Sequence, residues 1–289
     1  MKTIVRQTIE LLPAPLPVLL QDSLRYLRYE QVRRRRWAHG RILGRLESPT
    51  VVAQGPFQSM IYISSAFCSE ILPKVFGTYE LEVSPAIEAI CSAGCDRIVD
   101  IGAAEGYYAV GLALRNPEAT VVVFEMNSSA RYYLRRLARR NGVANRIEVR
   151  GLCDPDSLIH AMEGARKPAV VCDCEGAEDC LLDPARIESL RRSFVLVETH
   201  DGLATDTGVL EGITDRIRER FTPTHEIEVI TSRHRDKDDL PKGIDLSPHD
   251  AAEAMNEGRP WAKWMFLTPA RYWTTKSSAD YSGLRLPSG

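Results

Sequence analysis

From residue 98 onward the chain repeats one pattern, a short β-branched apolar run followed by a segment of helical character. The runs are IVDIG (98–102), TVVVFEM (120–126), RIEVRGL (146–152), AVVCDC (169–174) and FVLVETH (194–200). Such short apolar, β-branched runs predict the strands of a largely buried sheet. With helices between them they predict right-handed crossovers and a buried parallel sheet. Ser84-Pro85 suits an N-cap and first helical position for a helix to about Cys91, and Asp154-Pro155 suits another. Further helices are expected from 106, over 128–140, over 178–190 and over roughly 206–220. HEIEVIT (225–231) and WMFLTP (264–269) supply a sixth and a seventh strand. Between them SPHDAAEAMNEGRP predicts a helix capped by Ser247, with Pro248 in its first turn and Gly258 as its stop, so the last two strands suit an antiparallel hairpin with a helical insertion. The expected architecture is a doubly wound α/β sheet.

The chain divides into an N-terminal extension (1–82), the sheet domain (83–270) and a Ser- and Gly-rich tail (271–289). The extension predicts an amphipathic helix over 18–38, carrying Arg33 to Arg36, and two or three short strands or a small β-element over 41–65. With 44% hydrophobic and 26% charged residues in 289, the composition excludes a disordered, collagen-like or disulfide-stapled chain. No run reaches the roughly 18 apolar residues of a membrane span. The apolar N-terminal stretch is broken by Glu10, Pro13, Pro15 and Pro17, which speaks against a secretory signal. Lys plus Arg number 37 against 39 Asp plus Glu, and a net charge of −2 gives no field that recruits nucleic acid by itself. Seven cysteines without paired zinc spacing suit reduced thiols and a cytoplasmic protein.

In a doubly wound sheet, ligands bind beyond the carboxyl ends of the strands, near the point where strand order reverses. The first strand ends in Asp100-Ile101-Gly102-Ala103-Ala104-Glu105-Gly106. Gly102 and Gly106 bracket a tight turn that backbone and ligand can share. The dinucleotide fingerprint needs glycine at 104 and 107, where Ala104 and Tyr107 stand, and the phosphate-cradling GxxxxGK[ST] is absent. Asp100 at the strand end repels a pyrophosphate and favours a cation. Glu125, ending the second strand, is placed to accept both hydroxyl hydrogens of a ribose. The two acids together point to a nucleoside that carries positive charge.

The segments VDIGAAEGYYAVGLA, VVVFEMN and VVCDCEGAE, preceded by FGTYELEVSPAIEAI (76–90), resemble class I S-adenosylmethionine-dependent methyltransferases, specifically the FkbM-like group. The resemblance spans about residues 74–200 and departs from the usual GxGxG at Ala104. It implies a Rossmann-like, seven-stranded methyltransferase sheet and S-adenosylmethionine as cofactor. It places Asp100, Gly102, Ala103, Glu105 and Gly106 along the methionine part. Glu125 and Met126 fall at the ribose end, Leu152, Cys153 and Asp154 at the adenine, and Asp173 near the reacting end. Asp154 equally suits an N-cap before Pro155.

Asp173-Cys174-Glu175-Gly176-Ala177-Glu178 matches the family's D-x-E-G-x-E signature. Alternation puts Asp173 and Glu175 on one face and Cys172 and Cys174 on the other, while Glu178 suits the start of the next helix. Glu198-Thr199-His200 ends the fifth strand. His200 is the candidate base, with Asp173 and Glu198 as catalytic neighbours, and Tyr79, Glu80, Tyr107 and Glu175 as candidate acceptor contacts. Asp173, Glu198 and His200 also form a candidate Mg²⁺ or Mn²⁺ set if the strand register brings them together. A metal-free route is the expectation. The expected activity is O-methylation of a small hydroxylated molecule, a sugar or natural-product intermediate, with no membrane partner. The alternatives are an RNA, DNA or protein methyltransferase, resting on Arg33–Arg36 and on Arg131, Arg135, Arg136, Arg139 and Arg140, and a catalytically silent cofactor-binding module.

Overall fold

In the computed structural model, Gly40 and residues 50–270 are described, apart from 64, 65, 68, 206, 207, 245 and 258–261. The predicted helix over 18–38 with Arg33–Arg36, the helix stop Gly258 and the tail from 271 therefore lie outside the described residues. Seven strands form one sheet: β1 (Arg97–Ile101), β2 (Thr120–Phe124), β3 (Ile147–Arg150), β4 (Pro168–Cys172), β5 (Phe194–Glu198), β6 (His225–Thr231) and β7 (Lys263–Pro269). Their spatial order is β3-β2-β1-β4-β5-β7-β6. The first five run parallel, and β7 lies antiparallel to both β5 and β6. This is the doubly wound, Rossmann-like sheet expected, with order reversing between β1 and β4. All five residues of β4 and of β5 are buried, as their unbroken apolar runs require.

Helices cover both faces. These are α1 (Ile71–Phe76), α2 (Ser84–Ser92), α3 (Tyr107–Arg115), α4 (Ser128–Arg140), α5 (Pro155–Met162), α6 (Glu178–Leu181), α7 (Ile213–Phe221) and α8 (Pro248–Ala254). Asn127, Asp154 and Ser247 cap α4, α5 and α8 through their side chains. Among the described residues no helix is long and apolar enough to cross a membrane. Residues of the extension join the sheet's core: Val52, Phe57, Met60, Tyr62 and Ile63 are buried with α2, α3 and α4.

Four local expectations differ. The helix over 178–190 is instead the four-residue α6 and a 3-10 turn over Glu188–Arg192. Leu181, Leu182, Ile187 and Leu190 are buried as a helical pattern demands, but Pro184 lacks the N–H and bars Asp183 from helical geometry. Two-residue strands, Ala204–Thr205 and Gly208–Val209, occupy the start of the expected helix over 206–220. Ser84 is itself helical, because a 3-10 turn over Leu81–Val83 runs straight into α2. Of the strands expected over 41–65, the described residues show one isolated bridge, Val51 to Ile61.

A buried arginine ties the segment before α2 to the insertion between β6 and β7. Arg235 lies 2.6 Å from Glu82 and 2.7 Å from Glu257, and its Nε donates to the Thr78 carbonyl at 3.0 Å. Glu257 also accepts the Glu80 N–H at 2.9 Å. Burial pushes the Glu257 carboxyl up to about 7, with Glu82 adding to the rise and Arg235 opposing it. A carboxyl raised in the folded state holds its proton there after the unfolded chain has released it. The associated stability is complete below the ordinary carboxyl range and is lost as pH rises through 7. Between about pH 5 and pH 8 the unfolding midpoint of the wild type should therefore fall relative to that of Glu257→Gln. A constant difference over that range would contradict the assignment.

Candidate functional site at the carboxyl edge of the sheet

Alternation along the strands sets the site. Ile98, Val121, Val123, Ala169, Val171 and Leu196 face the core shared with α2, α3 and α4, whereas Val99, Phe124, Cys172 and Val197 face the other core. Asp100, Glu125, Asp173 and Glu198 continue the first parity, so four carboxylates from β1, β2, β4 and β5 meet on one face of one edge. The chain crosses itself tightly there. Gly102 has φ of 84°, and a Cβ on it would stand 1.7 Å from the Asp173 carbonyl oxygen, so no side chain fits. Gly106 has φ of 96°, and its Cβ would meet Leu134 at 2.8 Å. Ala104, at the middle position of a GxGxG pattern, keeps a left-handed conformation with φ of 48°.

Glu125 is nearly buried, and both of its carboxylate oxygens are fixed by backbone. Oε2 accepts from the Ala104 N–H at 2.8 Å and Oε1 from the Asn127 N–H at 2.6 Å. Each oxygen keeps a further lone pair, so the group can still accept from two hydroxyls. Beside it Met126 is 75% exposed, and at the end of neighbouring β3 Leu152 is 72% exposed. Phe124 and Arg150 are register partners, so these two apolar side chains flank adjacent strand ends. Cys153 is half-buried. Asp154 caps α5, its carboxylate accepting from the Ser157 N–H at 2.7 Å, which also holds its pKa down. Burial, then the charges of Asp173 and Glu125, push the Asp100 carboxyl up to about 8. Its Oδ2 is buried with no hydrogen-bond partner among the described residues.

Glu105 and Tyr107 differ from expectation. Glu105 is fully buried, taking Lys74 Nζ at 2.5 Å, the Tyr62 hydroxyl at 2.6 Å and the Phe67 N–H at 2.9 Å. Its carboxylate braces the glycine loop against the segment before the sheet and presents nothing to a ligand. Tyr107 is core, ringed edge-on by Phe57, Tyr62, Tyr79 and Tyr108. Glu80 is also fully buried, accepts from the Tyr108 hydroxyl, and sits at a left-handed φ of 48°. Tyr79 is half-buried, with Lys74 Nζ 4.8 Å from its ring centre.

The reacting edge gathers the remaining residues. Cys172 and Val197 are register partners, so Asp173 stands level with Glu198 on the next strand. One ligand-type atom each from Asp173, Glu198 and His200 lie within 4.8 Å of one another. His200 Nε2 is 3.6 Å from Asp173 and 3.8 Å from the exposed Glu175, while Nδ1 is 2.6 Å from Glu178. Burial works to lower the His200 pKa, but the Glu178 hydrogen bond and the Asp173, Glu178 and Glu175 charges outweigh it, giving about 8. Burial lifts Asp173 to about 6 against the pull of His200, and burial followed by the Asp173 charge lifts Glu198 well above the carboxylate range. Glu178 is held low, because His200 more than offsets its burial. Glu178, a helix-start acid by sequence, also holds the His200 ring. Its second role is signalled by its place in D-x-E-G-x-E, three residues after Glu175.

No family model and no curated protein matches this chain. Solved structures are similar to it at low identity. An O-methyltransferase from Bacillus cereus in complex with SAH is 16% identical over 92% of this chain and 98% of that one, with a TM-score of 0.41. TomG from Streptomyces achromogenes, an O-methyltransferase involved in tomaymycin synthesis, in complex with SAM, is 16% identical over 68% and 86%, with 0.40. A fibrillarin/Nop5p complex is 12% identical over 61% and 73%, with 0.37. A likeness of this size is one of sheet and helices alone.

The Lys74–Glu105 pair yields a direct test of the loop's support. Lys74→Met leaves a buried carboxylate without its cation, and about 3–5 kcal/mol of folding stability should be lost. Lys74→Met with Glu105→Gln leaves no buried charge and should lose less than Lys74→Met alone. Denaturant titrations in which the two losses simply add would show that the pair is not coupled.

Proposed function

We propose that this protein is an S-adenosylmethionine-dependent methyltransferase of the FkbM-like group, acting on a hydroxyl of a small molecule. The observation that carries the reading is Glu125, a carboxylate fixed at both oxygens by backbone N–H groups yet able to accept from two more donors. Met126 and Leu152 beside it supply exposed apolar surface for a purine ring. Asp100 Oδ2, buried at the end of β1 with no hydrogen-bond partner among the described residues, leaves one polar atom there for a ligand donor.

When bound, the sulfonium supplies a methyl carbon to the acceptor oxygen, the C–S pair returning to sulfur as the O–C bond forms. The chain's own work is alignment and removal of the hydroxyl proton, for which Asp173, Glu198 and His200 offer a cluster of titratable groups at the same edge. The carboxylates around that edge disfavour anionic acceptors. This weighs against a nucleic-acid substrate, as does the use of two α4 arginines. Arg131 binds the Glu125 and Met126 carbonyls and Arg135 that of Val149, bracing strand ends. An intact set of titratable groups also weighs against a silent module.

Calorimetric titration with S-adenosylmethionine and its demethylated product tests the reading. Glu125→Ala should lose about 1.5–3 kcal/mol, roughly ten- to a hundredfold in affinity. NAD(H) should not compete. Unchanged affinity in a folded Glu125→Ala variant would remove the ribose assignment.

A further inference from the structure

We propose that Asp173, Glu198 and His200 form a binding site for one divalent cation of the Mg²⁺/Mn²⁺ class, at the edge where the acceptor hydroxyl docks. The existence of the site stands on its own geometry; its part in catalysis rests on the methyltransferase reading above.

Three observations carry it. The first is position. The three donor atoms lie within 4.8 Å of one another and come from the ends of adjacent strands, so the β4–β5 register fixes their spacing. Donors at about 2.1–2.3 Å from a six-coordinate ion stand roughly 3 Å apart when adjacent and about 4.5 Å apart when opposite, so a small closure completes the set. The second is orientation. Glu178 holds His200 Nδ1 at 2.6 Å, which fixes the ring and leaves Nε2 directed toward Asp173. A carboxylate behind the far ring nitrogen is the usual support of a metal-bound imidazole. The third is an unused donor. Trp264, the register partner of Glu198 and therefore on its face, is fully buried, and its Nε1 has no acceptor among the described residues. A ligand oxygen or water carried by the ion would provide one.

The donor set selects the metal. Two carboxylates and one imidazole are oxygen-rich, and Cys172 and Cys174 lie on the opposite parity with their sulfurs 3.5 Å apart, outside the set. Zinc and copper are therefore disfavoured against Mg²⁺ or Mn²⁺. Among the described residues His200 is the one cationic partner paired with Asp173, Glu175 or Glu178, so a divalent ion would relieve a crowded set of acids. The register supplies what the sequence had left open, and it turns the preference from the metal-free route. Asp173, Glu198 and His200 would hold the ion, His200 serving as a ligand; the ion would lower the pKa of the acceptor hydroxyl, whose proton would pass to exposed Glu175 and then to water. The oxygen pair forms the O–C bond while the C–S pair returns to sulfur.

The test is Mn²⁺ titration of EDTA-stripped full-length protein, read by the electron paramagnetic resonance of free Mn²⁺. One Mn²⁺ per chain should disappear from the free signal, and Mg²⁺ should compete. His200→Ala and Glu198→Gln should each weaken binding about 10- to 100-fold, and Glu178→Gln, which lacks only the ring support, should weaken it less. Titration of the demethylated cofactor in EDTA, on wild type and variants, reports folding and separates this proposal from the methyltransferase reading. Retained cofactor binding with no Mn²⁺ uptake would overturn the metal site alone. Uptake unchanged in His200→Ala and Glu198→Gln would place the ion elsewhere and also overturn it.

Discussion

The site depends on one contact between two strands that are distant in sequence. At the reversal between β1 and β4, Gly102 is pressed so closely against the Asp173 carbonyl that a Cβ would stand 1.7 Å from it. The Asp173 N–H in turn donates to the Ile101 carbonyl at 2.9 Å. With the two strand ends locked together, alternation carries Asp100, Glu125, Asp173 and Glu198 to one face. A residue larger than glycine at 102 would force apart the two ends that bring them together.

Crowding four carboxylates at a buried edge is costly, and the structure distributes that cost unevenly. Glu125 is held in place by two backbone N–H groups, one donating to each of its oxygens. Asp100 and Glu198 are pushed toward the neutral form by burial and by neighbouring acids, while His200 is pulled toward the charged form. One end of the edge is thus a fixed acceptor suited to hydroxyl donors, and the other is a set of groups whose protonation is shifted by burial and by one another. Behind the edge, Lys74 and Glu105 neutralise each other in the core, so the loop between Gly102 and Gly106 is braced by an ion pair outside the ligand side.

Much of this was legible in the sequence because it is local. β-branched runs gave the strands, and their last residues gave Asp100, Glu125, Asp173, Glu198 and His200 as edge groups. What depends on distant partners was not. Parity along β4 puts Asp173 and Glu175 together, but whether Asp173 meets Glu198 is set by the pairing of Cys172 with Val197. Glu105 sits inside the loop motif and shares its signal, yet its partners Tyr62, Phe67 and Lys74 come from a segment with no motif of its own. Tyr107 follows the second loop glycine, where an aromatic ring suits a pocket wall as well as a core. The packing of Phe57 and Tyr62 against it decides for the core. The short α6 shows the same limit from the other side, since apolar spacing continues past Pro184 although the helix cannot.

A crystal structure with the demethylated cofactor bound tests the central claim most directly. The account predicts both ribose hydroxyls on Glu125, the adenine ring against Met126 and Leu152, and the sulfur directed toward the Asp173–Glu198–His200 edge. A cofactor bound away from Glu125, or with its sulfur at the opposite end of the sheet, would contradict it.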